Sequence, residues 1–201
     1  MEKAWAKIGG NYELSNGGYL ESALRSVAGV PVFTYWGSDF TTTDEAMTLW
    51  ETMNAADGLD YLMSAAVYFS DFSSTTNACG IVQGHAYTVL SAFEMEDSAG
   101  IVHQMYLIRN PWGITYYSDD WNADDSRWTD ALVEQVPLNI DPRTSADDGL
   151  FVLPYDKIIG EECISSLQIG HLRDSEGWRD IPRPGSMKSR LPRKLDSIIM
   201  I

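Results

Sequence analysis

The sequence predicts an α+β fold, an antiparallel sheet closing into a small barrel or sandwich and flanked by a few helices. Three observations carry that expectation. The segment 42–58 has helical periodicity with a start signal and a stop signal. Runs within 61–72, 85–93, 102–110 and 151–153 are rich in β-branched, aromatic and small residues and are bounded by turn-forming clusters. At 201 residues and 44% apolar, the chain is long enough to bury a core around such a sheet.

The elements follow in order. Met1 to Ile8 suits a short helix, broken by Gly9 and Gly10, and Asn16-Gly17-Gly18 reads as a turn. Leu20, Ala23, Leu24 and Val27 keep helical spacing, with Gly29 where a C-terminal cap belongs. Thr42 and Glu45 have capping-box spacing, and Ala46, Leu49, Trp50 and Met53 line one core-facing stripe of the next helix, which Asp57-Gly58 closes. From Tyr61 the period becomes strand-like up to Phe72, followed by a Ser-Ser-Thr-Thr turn. His85 to Phe93 and Val102 to Asn110 are two strands separated by the polar turn Glu94 to Gly100. Phe151 to Leu153 is a shorter strand after Asp147-Asp148-Gly149.

Charge narrows the function. Residues 1–171 carry 7 basic and 25 acidic side chains, a net −18, so the body repels phosphate backbones and nucleic acid is not an expected partner. Residues 171–201 are expected to form a basic tail or linker with Pro182, Pro184 and Pro192 and little to bury. No apolar run is long enough for a membrane span, and the opening residues lack a secretory layout. A cytoplasmic location follows as an expectation, with Cys79 and Cys163 read as reduced thiols.

Two polar residues stand out. A hairpin symmetric about Asp97 and Ser98 pairs residues whose numbers sum to 195, setting His85 opposite Asn110. Cross-strand Cβ atoms lie roughly 5 Å apart, so imidazole and carboxamide can meet, although a one-residue slip would separate them. A carboxamide oxygen that accepts one ring N–H fixes the tautomer and leaves the other nitrogen for a nucleophile. A half-buried strand histidine satisfied by some nearby polar group is the alternative reading of the same residues.

Gly84-His85-Ala86-Tyr87 and Arg109-Asn110-Pro111-Trp112-Gly113 resemble the GHAY and RNPWG signatures of the calpain catalytic core. Glu2 to Lys7, Tyr12-Glu13, Gly17-Gly18, Asp148-Gly149 with Phe151, and Glu161 to Leu167 fit in order and spacing, so the resemblance covers about residues 1–170. It implies the second, right-hand subdomain of a papain-like cysteine endopeptidase, with residues 1–30 ending the preceding segment. His85 would be the catalytic histidine, Asn110 its orienting partner, Trp112 a cover over the pair, and Gly84 the point where substrate backbone approaches. Protein or peptide would be the substrate.

The family's nucleophile lies in an N-terminal half with a Q-G-x-x-x-D-C-W-like segment, which this sequence does not contain. That half is therefore the implied partner, and this chain alone is expected to be inactive. Cys79 sits on the wrong side of a papain-like cleft to replace the nucleophile, and Cys163 matches a structural cysteine. Calcium is implied by the family through acidic ligands, yet Tyr116, Ala123 and Leu150 stand at positions where acids belong and only Asp148 is retained. A non-catalytic, protein-binding module of calpain type remains the alternative. A transglutaminase-like acyltransferase would need aspartate at position 110.

Overall fold

Thr42 starts the longest helix in the way its neighbours predict. In the computed structural model, which describes residues 2–13, 17–69, 73–171, 173–174 and 177–178, helices α1 (Glu2–Gly9), α2 (Leu20–Ala28) and α3 (Thr43–Asp57) precede most of the strands. The Thr42 hydroxyl accepts from the Glu45 N–H at 3.3 Å, and the Glu45 carboxylate accepts from the Thr42 N–H at 3.1 Å. Such a box is worth about 1 kcal/mol to a helix start. Gly29, at φ +68°, caps α2 through its N–H to the Arg25 carbonyl.

Ala46, Leu49, Trp50, Met53 and Ala56 are buried along one stripe of α3. Each large apolar side chain stabilises the fold by roughly 2 kcal/mol when removed from water. The stripe packs on a six-stranded antiparallel sheet ordered β1 (Val32–Trp36), β6 (Ser166–Gly170), β2 (Leu62–Val67), β3 (His85–Glu96), β4 (Val102–Arg109) and β5 (Leu150–Pro154). The predicted class therefore holds. The sheet is open, with β1 and β5 as its edges, rather than closed as a barrel.

β1 and β6, unassigned from sequence, pair with each other from Val32↔Gly170 to Trp36↔Ser166. β6 also pairs with β2, which makes it an interior strand. The strand expected over 61–72 ends at Val67, and residues 70–72 lie outside the described residues. So do Asn16 of the early turn and most of the 171–201 tail, of which Arg173–Asp174 pairs with Gly177–Trp178.

The β3–β4 hairpin departs from the predicted register. Near its tip Glu96 faces Val102 and Ala92 faces Tyr106; past the tip, Val89 faces Ile108 and Thr88 faces Arg109. One extra residue, Leu90, is accommodated in β3 between Val89 and Ser91, a β-bulge. Tyr87, Val89 and Ala92 accordingly join Tyr106 and Ile108 in the core beneath α3. Phe93 and Met95 join Met105, Leu107 and Val152 on the opposite face, covered by Trp121, Trp128, Leu132 and Val136.

Candidate active site

His85 opens β3 and Asn110 follows β4, where its N–H continues the ladder to the Gly149 carbonyl at 2.8 Å. Gly149 is required there: its φ is +75°, and a Cβ would stand 2.6 Å from the Asn110 carbonyl oxygen. His85 Nε2 lies 2.8 Å from Asn110 Oδ1, and both side chains are 1% exposed. The two are not cross-strand partners. His85 pairs with Val67 of β2, and extending the β3–β4 register past Thr88↔Arg109 aligns Asn110 with Tyr87. His85 and Tyr87 project to one face, so the imidazole reaches the carboxamide diagonally. The expected contact exists and the expected register does not.

The carboxamide is itself held. Asn110 Nδ2 donates to the Ile114 carbonyl at 2.8 Å, and Oδ1 also accepts the Trp112 N–H at 3.0 Å. With Nδ2 committed as donor, Oδ1 faces the imidazole as acceptor, so His85 carries its proton on Nε2. Nδ1 is buried and has no hydrogen-bond partner among the described residues. The Trp112 ring lies over the imidazole with centroids 4.2 Å apart, while the indole itself is 60% exposed. The Tyr87 ring meets the imidazole edge-on at 5.0 Å. Gly84, at φ +62°, lies against the Phe69 ring, which a Cβ would approach to 2.1 Å. That packing accounts for glycine at 84 with no recourse to a ligand.

Cys79 and Cys163 correct an expectation. They are bonded to each other, with Cα atoms 5.6 Å apart and 84 positions between them in sequence, rather than being separate thiols. The loop before β3 folds back on the entrance to β6, where Asn77 Nδ2 donates to the Cys163 carbonyl at 2.9 Å. Neither sulfur is a free nucleophile.

Of the four positions that the resemblance assigns to calcium ligands, one carries an acidic side chain. Tyr116 is an exposed phenol, Leu150 is buried in β5, Ala123 offers only a methyl group, and Asp148 stands exposed. Calcium asks for several convergent hard oxygens. The neighbouring acidic run is instead organised by cations of the chain. Arg127 pairs with Asp125 and reaches Asp120 at 2.8 Å, with its guanidinium 4.5 Å over the Trp121 ring. Hydrogen bonding from Arg127 holds the Asp125 and Asp120 carboxyls below the usual carboxylate range. Lys157 lies 2.9 Å from Asp119 and 3.3 Å from Asp120 and Glu162. Burial pulls its ammonium down, and Asp119 and Glu162 outweigh that and raise it. Trp121 takes φ +63°, unusual for an aromatic residue, and donates its N–H to Asp125 at 2.8 Å.

His103 and His171 take no part in the pair. His103 Nε2 lies 3.2 Å from Asp97 at the hairpin tip, and His171 packs between Phe33 and Tyr61. The bulge, the disulfide and the edge-on Tyr87 ring are the parts of this region that sequence reasoning missed.

The calpain family cysteine protease profile matches residues 1–165. The chain belongs to the calpain family. It is 28% identical to calpain-5 of Caenorhabditis elegans over 79% of its length, which is 28% of that protein. It is 27% identical to the calpain-2 catalytic subunit of Mus musculus over 79% of its length, 22% of that protein. With the calpain-type cysteine protease DEK1 of Arabidopsis thaliana it shares 29% identity over 68% of its length, 6% of that protein. This calpain-family chain thus spans under a third of the length of each of these relatives. Among the described residues, no helix is long and apolar enough to cross a membrane.

Proposed function

We propose that this calpain-family chain supplies the histidine and asparagine of a cysteine endopeptidase whose nucleophilic thiol belongs to a separate N-terminal half. The observation that supports it most is the buried imidazole, bound through Nε2 to Asn110 and without a hydrogen-bond partner at Nδ1 among the described residues. In the reaction, the incoming thiol gives its proton to His85 Nδ1, and the imidazolium stabilises the thiolate. The thiolate attacks a peptide carbonyl; collapse of the tetrahedral adduct transfers the Nδ1 proton to the leaving amine and leaves a thioester. Water, deprotonated by the same nitrogen, hydrolyses the thioester and restores the thiol. Asn110 holds the ring plane and tautomer through both steps, and Trp112 keeps water from the Nε2–Oδ1 bond, which strengthens it. No step is routed through calcium.

The competing reading is a protein-binding module without catalysis, favoured by the side chains at positions 116, 123 and 150. One assay separates the two. Mixed with a calpain N-terminal half that carries the cysteine, this chain should restore casein hydrolysis, and neither piece should hydrolyse casein alone. Hydrolysis by this chain alone that Cys79→Ala abolishes would overturn the proposal.

A further inference from the structure

Asn110 reaches His85 because β3 changes phase at one residue. From its tip to Ser91 the hairpin pairs residues whose numbers sum to 198, and from Val89 onward to 197. Were the tip register to continue, Asn110 would align with Thr88, whose side chain is exposed on the face away from His85. A shift of one residue exchanges the faces of a strand. The extra residue in β3 thus decides whether imidazole and carboxamide share a face.

The pairing of β3 with β2 ends at Thr88, so the bulge and the residues just beyond it have no β2 partner on that side. Here α3 meets the strand from its last turn. Asp57 Oδ2 accepts the Ala92 N–H at 3.0 Å and the Ser91 hydroxyl at 2.6 Å. Asn54 Nδ2 donates to the Ala92 carbonyl at 2.6 Å. Ala92 is 1% exposed and Ser91 is 7% exposed, so water is a poor substitute for these partners. Both polar groups of one β3 residue are answered by two side chains one helical turn apart.

We infer that Asn54 and Asp57 are positioning residues for the His85–Asn110 pair. They hold the bulge where it stands, and the bulge sets the facing of the two catalytic side chains. Neither touches the pair. This inference rests on the catalytic reading of His85 and Asn110, and its test is chosen to read geometry without needing turnover.

The test uses the whole chain, labelled with 15N, and three variants: Asp57→Ala, Asp57→Asn and Asn54→Ala. Ring nitrogen shifts of His85 report the tautomer, and exchange of the Asn110 side-chain amide reports its bond to Ile114. In Asp57→Ala, exchange at Ala92 and at the Asn110 amide should both rise about tenfold, and the single Nε2-protonated signature of His85 should give way to a mixture. Asp57→Asn should restore both, since its carboxamide oxygen can accept the same two hydrogen bonds. Met105 and Leu107, on the opposite face, should keep their shifts throughout. Faster exchange at Ala92 with unchanged His85 and Asn110 signals overturns the inference, as does failure of Asp57→Asn to restore them. Should Asp57→Ala not fold, Asn54→Ala and Ser91→Ala remove one hydrogen bond each and carry the same criterion. Loss of casein hydrolysis in recombined halves is a separate result, so failure of the catalytic reading is told apart from failure of this one.

Discussion

His85 Nε2 and Asn110 Oδ1 stand 2.8 Å apart although the residues occupy no common pair of the sheet. Their meeting depends on a diagonal reach across the hairpin, on the Asn110 Nδ2 bond to Ile114, and on an indole laid over the ring. Removing the carboxamide leaves the imidazole free to rotate and to change tautomer. In the recombined protease, Asn110→Ala should lower kcat by about 10²-fold or more with a much smaller change in KM. Steady-state peptide hydrolysis measures this, and an unchanged kcat would exclude an orienting role.

The 119–127 loop should be acid-sensitive. Asp120 and Asp125 have carboxyls held below their unfolded range by Arg127. A depressed carboxyl contributes stability that is present above the unfolded value, about 4, and is lost as pH falls through the lower folded value. Asp156 acts in the opposite sense, because burial raises its carboxyl and protonation relieves that burden. Thermal melts should therefore show a midpoint that is flat from about pH 5 to 7 and falls below about pH 4. Arg127→Ala should lower the neutral-pH midpoint and shallow that fall. An identical pH profile in wild type and variant would contradict the assignment.

Much of this was readable from residue types, and the failures were of one kind. The α3 stripe and its cap are local signals, carried by residues three and four apart, and the structure keeps them. The expected meeting of His85 and Asn110 is present as a 2.8 Å contact. The symmetric hairpin was wrong by two residues beside the pair and by three near the tip; only the even offset leaves faces unchanged, so the contact emerged from the wrong register. Nothing near Leu90 announces a bulge, since its cause lies in Asn54 and Asp57 more than thirty residues earlier. Cys79 and Cys163 meet only because a loop folds back across 84 positions, a contact that spacing does not encode. β6 escaped notice because both of its faces are buried, so it lacks the alternation of a one-sided strand.

Reduction of the Cys79–Cys163 bond should destabilise the chain. On the chain-entropy account, a bridge closing a loop of this length is worth about 4.5 kcal/mol, acting through the unfolded state. Urea denaturation with and without a dithiol reductant measures the difference, and Cys163→Ser should match the reduced protein. Two thiols titrating in the unreduced, unfolded protein would contradict the bond.

The central claim concerns an imidazole poised for a thiol that arrives from elsewhere, and the ionisation of that thiol tests it most directly. In the recombined halves, the alkylation rate of the nucleophilic cysteine should be followed against pH, with this chain either wild type or His85→Ala. The wild-type pairing should give a thiolate that persists well below the free-cysteine value of about 8.5, and His85→Ala should return the profile to that value. Two superimposable profiles would contradict the account.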